Sequence, residues 1–295
     1  ALVFLAASYF LFPFSVEGAR KRNKRKAQVE ETETATIVSR LDLPRVRQHF
    51  DAGTLLAQYL SQARVEIRNI FRGVAFLVVL LLGVLMVVGN FVASLDRIFG
   101  TPVYPTTPMM VNIINGSFSF SLLVVLIYYA GELMVREKNT RVDELMDSMP
   151  WPNYVVMAAK VTGLIVVIVS MLLVAMLAAI GFQLVEGFHD IDIGVYLAGL
   201  LFFFQFPLYL MVVMALFFYV VTRNKYATMF LMILYLMLTL AMPDLGFENY
   251  LYRLRQTNPY YSDFTGFSQN LEPYLWQTLY YFFFGWILLF CIHFL

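Results

Sequence analysis

The chain has 295 residues, of which 60% are hydrophobic, 17% aromatic and only 14% charged, with a formal net charge of +1 and a mean hydropathy of +0.70. A soluble domain carries roughly 45–50% apolar and about 25% charged residues, so this chain has too little charge to coat a water-facing globule. The balance excludes a disordered chain, a disulfide scaffold (Cys291 is the one cysteine) and a nucleic-acid binder, and it defines an all-α, multi-pass integral membrane protein.

Residues 1–14 are apolar but cover only about half a bilayer at about 1.5 Å per residue, so 1–16 reads as the end of a helix that begins in a longer polypeptide. Residues 17–54 form a linker. Its first part, Arg20, Lys21, Arg22, Lys24, Arg25 and Lys26, is a basic block directly after a span, read as an orientation signal with anionic-lipid binding as the alternative. Its second part, 30–36, is acidic and Thr-rich without apolar period.

Residues 55–295 form one permease-sized unit. Leu56, Tyr59, Leu60, Ala63, Ile67, Ile70 and Phe71 recur at helical spacing, with Arg64, Glu66, Arg68 and Arg72 between them. This predicts an amphipathic helix flat in the cytoplasmic interface, apolar face in lipid and basic residues at the headgroups, with Gly73 as an elbow; the alternative is a straight cytoplasmic extension of the span. Six uncharged stretches then reach the length of a crossing: 73–95, 109–131, 161–185, 193–222, 226–243 and 274–295. Pro207 is expected to kink the fourth. Lys and Arg alternate with each crossing: they are dense before the first span, between the second and third, and at Arg223 and Lys225, and sparse in the other loops. The basic loops are therefore expected to face the cytoplasm.

The most informative stretch runs from Glu132 to Lys160, ELMVREKNTRVDELMDSMPWPNYVVMAAK. Thr140 fits a helix N-cap with Asp143 in the first turn. Val142, Leu145, Met146 and Met149 fall at i, i+3, i+4 and i+7, Asp143, Glu144 and Asp147 take the other face, and Pro150 and Pro152 stop the helix. A two-turn amphipathic helix at the cytoplasmic surface results. Its acidic polar face disfavours anionic lipid and favours docking on a partner protein. Glu132 with Arg136, and Glu137 with Arg141, stand four apart in the order that favours ion pairing on a helix.

The order of interfacial helix, two spans, this stretch and four more spans resembles the type-2 ABC exporter permeases, in which a G/E-x-x-x-R-E…E-L…S-x-P…K pattern runs from the second span into a coupling helix. The matching residues are Glu132, Arg136, Glu137, Glu144, Leu145, Ser148, Pro150 and Lys160, and the likeness covers about residue 55 to the end. The resemblance implies a transport subunit of a bacterial cytoplasmic membrane that is not itself an enzyme. It also implies a dimer of ABC ATPase subunits carrying MgATP, no cofactor in this chain, and a second six-helix half, preceding this one in the same longer chain. Fused double permeases that continue into a zinc aminopeptidase domain are a further likeness. Short re-entrant or interfacial helices are implied for 244–273.

No Walker A loop, GxSxG, HExxH or dinucleotide fingerprint occurs. His189, Asp190 and Asp192 lie together in a loop, with solvation preferred over metal binding. Asn112, Asn115, Gln205 and Pro207 are the candidates for lining a pathway. The aromatic residues from Tyr250 to Trp286 read as an interfacial belt, with a lateral exit for a hydrophobic substrate as the alternative. The spans carry no ionisable groups away from their ends, so transport energy is expected from outside the chain. The expected function is export of an amphipathic or hydrophobic substrate; the alternative is a membrane anchor or the embedded part of a larger enzyme such as a tethered peptidase.

Overall fold

The computed structural model describes residues 51–95, 104–139, 152–247, 249, 251, 256 and 261–294. All the regular structure among them is helical. Helix α1 (Ala52–Phe71) is followed by α2 (Val74–Leu95), α3 (Thr107–Asn139), α4 (Asn153–Val185) and the short α5 (Ile193–Leu197). A π-helical segment (Ala198–Phe203) leads into α6 (Phe206–Thr222), then α7 (Lys225–Ala241) and α8 (Leu271–Phe294). Five of the described segments are long and apolar enough to cross a membrane: Val74–Ser94, Thr107–Arg136, Asn153–Val185, Ile193–Thr222 and Leu271–Ile292. The chain is thus a multi-pass helical protein. The expected span at 226–243 is the 17-residue helix α7, shorter than the other five.

Two elements differ from expectation. Helix α1 begins at Ala52, three residues before the predicted start, and its faces are not those that polarity alone assigns. Gln62 and Glu66 are buried against the bundle together with Ala63 and Ile70, which were expected in lipid, while Leu56, Leu60 and Phe71 are exposed, as the lipid-facing side requires. Glu66, which falls between the apolar positions in the sequence, is 3% exposed. The physical reason is a partner on α4, described below. The fourth apolar stretch is not one kinked helix but α5, a π turn and α6. A proline cannot donate to the carbonyl four residues back, and its ring crowds that carbonyl. Here the helix restarts so that Pro207 sits in the first turn of α6, where no donor is needed.

The break frees backbone carbonyls in an apolar setting, where each unsatisfied group costs several kcal/mol. Tyrosines take them. The Tyr209 hydroxyl donates to the Leu201 carbonyl at 3.0 Å, and the Tyr274 hydroxyl donates to the Phe202 carbonyl at 2.9 Å. Phe203 stacks on Phe267 and Tyr274, and Tyr261 packs on Phe267. Part of the aromatic segment between α7 and α8 therefore folds inward over the π turn, while Phe264, Trp276 and Tyr280 remain exposed.

The core lies where α3, α4 and α6 meet, around Phe118, Leu122, Ile168, Met171, Leu172 and Val212. Helix α2 packs on α3, α7 on α3 and α6, and α8 on α6. Apolar side chains on the outer faces of α2, α7 and α8, among them Leu81, Leu85, Phe230, Met237, Phe283 and Ile287, stay exposed, as a hydrocarbon solvent permits. At one end, Gln183 donates to the Pro105 carbonyl at 2.7 Å and accepts from the Tyr196 hydroxyl at 2.8 Å, joining α4, α5 and the start of α3. The other end holds the α1–α2 elbow, the close of α3, the start of α4 and the α6–α7 turn. It is here called the basic end, because Arg72, Arg136, Lys160, Arg223 and Lys225 collect there.

The tyrosine repair is testable by unfolding in detergent micelles. Tyr209→Phe and Tyr274→Phe keep the ring and lose the hydroxyl, and each is expected to destabilise by about 1 kcal/mol. Tyr280→Phe, at an exposed ring, is expected to be neutral.

Candidate functional site

Two ion pairs organise the basic end. The first is buried. Lys160 Nζ on α4 lies 3.5 Å from Glu66 Oε1 on α1, with side-chain exposures of 2% and 4%. The ammonium also donates to the Leu133 carbonyl of α3 at 2.9 Å, and Gln62 Nε2 donates to Glu66 Oε1 at 3.3 Å. One turn outward along α1, the Tyr59 and Thr162 hydroxyls are 2.6 Å apart. The backbones approach closely here because α4 has Gly163 at the crossing: a Cβ on it would stand 3.2 Å from the Glu66 Cβ. Charges removed from water need replacement ligands, and this cluster supplies them from three helices.

The second pair is nearer the surface. Lys225 Nζ, at the start of α7, lies 3.2 Å from Glu132 Oε2 on α3. The turn that places it is tight: Arg223 adopts a left-handed conformation (φ 51°), and the Asn224 side chain caps α7 by accepting from the Tyr226 N–H. The hydrogen bond from Lys225 to Glu132, and then the charge of Glu132, hold the ammonium above its ordinary pKa of 10.5. A raised value in the folded state means that, on the alkaline side, the pair's stabilisation is fully present below 10.5 and is lost as pH rises through the raised value.

Between α1, α2 and α3 lies a half-open cavity of about 330 Å³. Asn69, Gly73, Tyr128, Tyr129, Glu132 and Arg136 contribute to its wall. Gly73, between α1 and α2, is closely surrounded: a Cβ there would meet the Tyr129 hydroxyl at 2.9 Å and the Ile70 carbonyl at 3.1 Å, so a side chain has to displace them.

Of the residues expected to couple to an ATPase, Glu132 and Arg136 are thus both on the cavity wall; Lys160, a further residue of the family pattern, anchors the buried pair. Glu137 lies in α3, but its side chain is outside the described residues. Val142, Glu144, Leu145, Met146, Ser148, Met149 and Pro150 also fall outside them. The pathway candidates do not share a wall of this cavity. Asn112 is exposed, the amide of Asn115 lies within 3.5 Å of the Ser119 hydroxyl on its own helix, Gln205 is 3% exposed, and Pro207 opens α6. In the loop before α5, Asp192 is a helix cap, its carboxylate accepting from Gly194 and Val195 N–H. Among the described residues no group of three or more His, Cys, Asp or Glu side chains is arranged to hold a metal ion.

Sequence reasoning placed Glu66 on the wrong face and left Lys225 as an orientation charge. The signal for each lay in an oppositely charged partner more than 90 residues away, which periodicity does not reveal. No protein-family model, curated protein or solved structure matches the chain.

Breaking the buried pair from one side is expected to be costly. Lys160→Met leaves the Glu66 carboxylate uncompensated and should destabilise by about 3–5 kcal/mol in reversible unfolding, with Glu66→Leu added to it restoring most of the loss. At the outer pair, Glu132→Gln should move the Lys225 side-chain titration down toward 10.5, followed by NMR of labelled lysine; an unmoved titration would show that Glu132 does not hold the proton.

Proposed function

We infer that this chain is the membrane half of an ATP-driven exporter of the type-2 ABC kind, moved by a separate cytoplasmic ATPase dimer that grips 141–149. The observation that carries the reading is the tethering of the two helices that flank that segment. Helix α3 ends at Asn139 with Glu132 tied to α7, and α4 begins at Asn153 with Lys160 tied to α1 and α3. Each has 33 residues, about 50 Å of helix against the roughly 30 Å of a hydrocarbon core, so both have length to extend past the membrane. A push on the short helix between them would reach the bundle as movement of two braced rods.

In this reading the basic end faces the cytoplasm of a bacterium and α1 is the elbow helix at the interface. Helix α7, about 25 Å long, is the fifth of six spans, its shortness met by local thinning of the bilayer. A second six-helix half in the same longer chain completes the pathway. Closure of two ATPase subunits around MgATP would swing the halves between inward- and outward-open states and release an amphipathic or hydrophobic substrate outward. Zinc peptidase chemistry, if joined to the assembly, belongs to another domain.

Leu145 and Met146 lie on the apolar face that would seat in the ATPase groove. With the complex of permease and ATPase in lipid nanodiscs, Leu145→Asp and Met146→Asp are each expected to lower permease-stimulated ATP hydrolysis at least about tenfold, since each buries a carboxylate without a partner. Wild-type stimulation and co-purification in both variants would remove the docking claim.

A further inference from the structure

We propose that the break in the fourth span is a two-state element. The π turn at Ala198–Phe203 interconverts with an α-helical register, and the Tyr209 and Tyr274 hydroxyls are the groups that hold the π form. This goes beyond the transporter reading and does not rest on it.

The register of the hydrogen bonds comes first. In the π turn the Phe204 N–H reaches back five residues to the Gly199 carbonyl, at 3.1 Å. In an α-helix each N–H bonds the carbonyl four residues back, so the Leu201 and Phe202 carbonyls would belong to the N–H groups of Gln205 and Phe206. Those are the two carbonyls that the Tyr209 and Tyr274 hydroxyls hold, at 3.0 and 2.9 Å. The same two acceptors therefore have two sets of donors, one for each register. Pro207 keeps the α form from being fully bonded, because it has no N–H for the Phe203 carbonyl, and the helix stays bent there.

The form in the structure carries a defect of its own. Gln205, at the head of α6, is 3% exposed, and its Nε2 has no hydrogen-bond acceptor among the described residues. A buried donor left unmet costs at least as much as one intramolecular hydrogen bond contributes net, so it opposes the two tyrosine bonds with comparable weight. Opposing terms of similar size are what bring two registers close in energy. The π form is nonetheless a packed state and not a frayed helix: a Cβ on Gly199 would meet Val111 Cγ1 of α3 at 2.8 Å.

The flanking elements show what the change would move. On one side of the break α5 is anchored: Tyr196 donates to Gln183 of α4 at 2.8 Å, and the Asp192 N–H donates to the Thr107 hydroxyl of α3 at 3.3 Å. On the other side α6 packs on α8 through Leu210, Met214, Tyr281 and Leu288. One residue of register shifts the two sides against each other by about 1.5 Å. Tyr274 lies on α8, of whose span only 17% is buried, so the bond that sets the register also sets the place of the least enclosed span. π turns inside α-helices are frequent at functional sites, and a packed core answers a small local change by switching between arrangements.

The test is fluorine NMR of the full chain in lipid nanodiscs, with a fluorinated phenylalanine in place of Phe202, whose ring is 68% exposed and whose carbonyl changes donor. Two forms are expected, as two lines or as one line at their average. Gln205→Leu removes the unmet donor and is expected to shift the ratio about fivefold toward the π form. Tyr209→Phe and Tyr274→Phe are each expected to shift it about fivefold the other way, the weight of one net hydrogen bond. Tyr280→Phe, at an exposed ring of α8, is expected to leave it unchanged. In the two tyrosine variants the Gln205 and Phe206 N–H groups should also exchange more slowly with deuterium, since the α register bonds them. One unmoved line in all variants, or a shift of the same sign in Gln205→Leu and the tyrosine variants, would overturn the two-state element. Faster exchange of both N–H groups would mean that the break frays instead of changing register, and would overturn it as well.

Discussion

An ammonium group that is 2% exposed, on a helix long and apolar enough to cross a bilayer, persists only where other groups replace its hydration shell. For Lys160 these include the Glu66 carboxylate of α1 and the Leu133 carbonyl of α3. The consequence is geometric. Helix α1 cannot slide along α4 or roll on it without separating the charges, and α3 cannot draw away from α4 without losing the carbonyl. A hydrophobic contact of similar area would tolerate such shifts, because apolar packing in lipid has no preferred register beyond shape. The buried pair is a weak source of stability and a strong source of position. It fixes α1, and with it the α1–α2 junction at Gly73 and the cavity between α1, α2 and α3.

A second constraint acts through the backbone. Hydrocarbon offers no hydrogen bonds, so any departure from an α-helix within a span has to be repaired by the protein. The π turn at Ala198–Phe203 leaves carbonyls that two tyrosine hydroxyls take, one from the following turn of α6 and one from α8. This gives α8 a defined place although its outer face is mostly exposed. Only 17% of the α8 span is buried, too little for packing alone to orient it, and the Tyr274 bond with the Phe203 and Phe267 stack supplies the missing direction.

What was legible in the sequence follows the range of each signal. Apolar runs are local, so the helices at 74–95, 107–139, 153–185 and 271–294 were foreseen to within a few residues, with the excess of α3 and α4 lying beyond the apolar run at the basic end. Pro207 announced a disruption, but not its form, because the π turn depends on acceptors being met by residues as distant as Tyr274. Glu66 was misplaced for the same reason. Among arginines on a two-faced helix it looks like a surface charge, and only the position of Lys160, 94 residues on, turns it inward. Glu132 and Arg136 were singled out from their spacing and do meet at one cavity, whereas the link from Glu132 to Lys225 had no local mark. The helix expected at 141–149, from its periodicity and the family pattern, lies outside the described residues.

The cations of the basic end divide by chemistry. The two lysines with carboxylate partners, Lys160 and Lys225, sit on compact ammonium groups that a carboxylate and a carbonyl can surround. Arg64, Arg68, Arg72 and Arg223 are exposed, where a charge that is never surrendered keeps the end at the water boundary. During insertion all six count equally toward orientation. Once α1, α3, α4 and α7 have met, Lys160 and Lys225 are paired with Glu66 and Glu132, and among the described residues Arg64, Arg68, Arg72 and Arg223 stay exposed. The lysines that the positive-inside rule counts as orientation charges are thus also used by the fold, as the cations of two ion pairs.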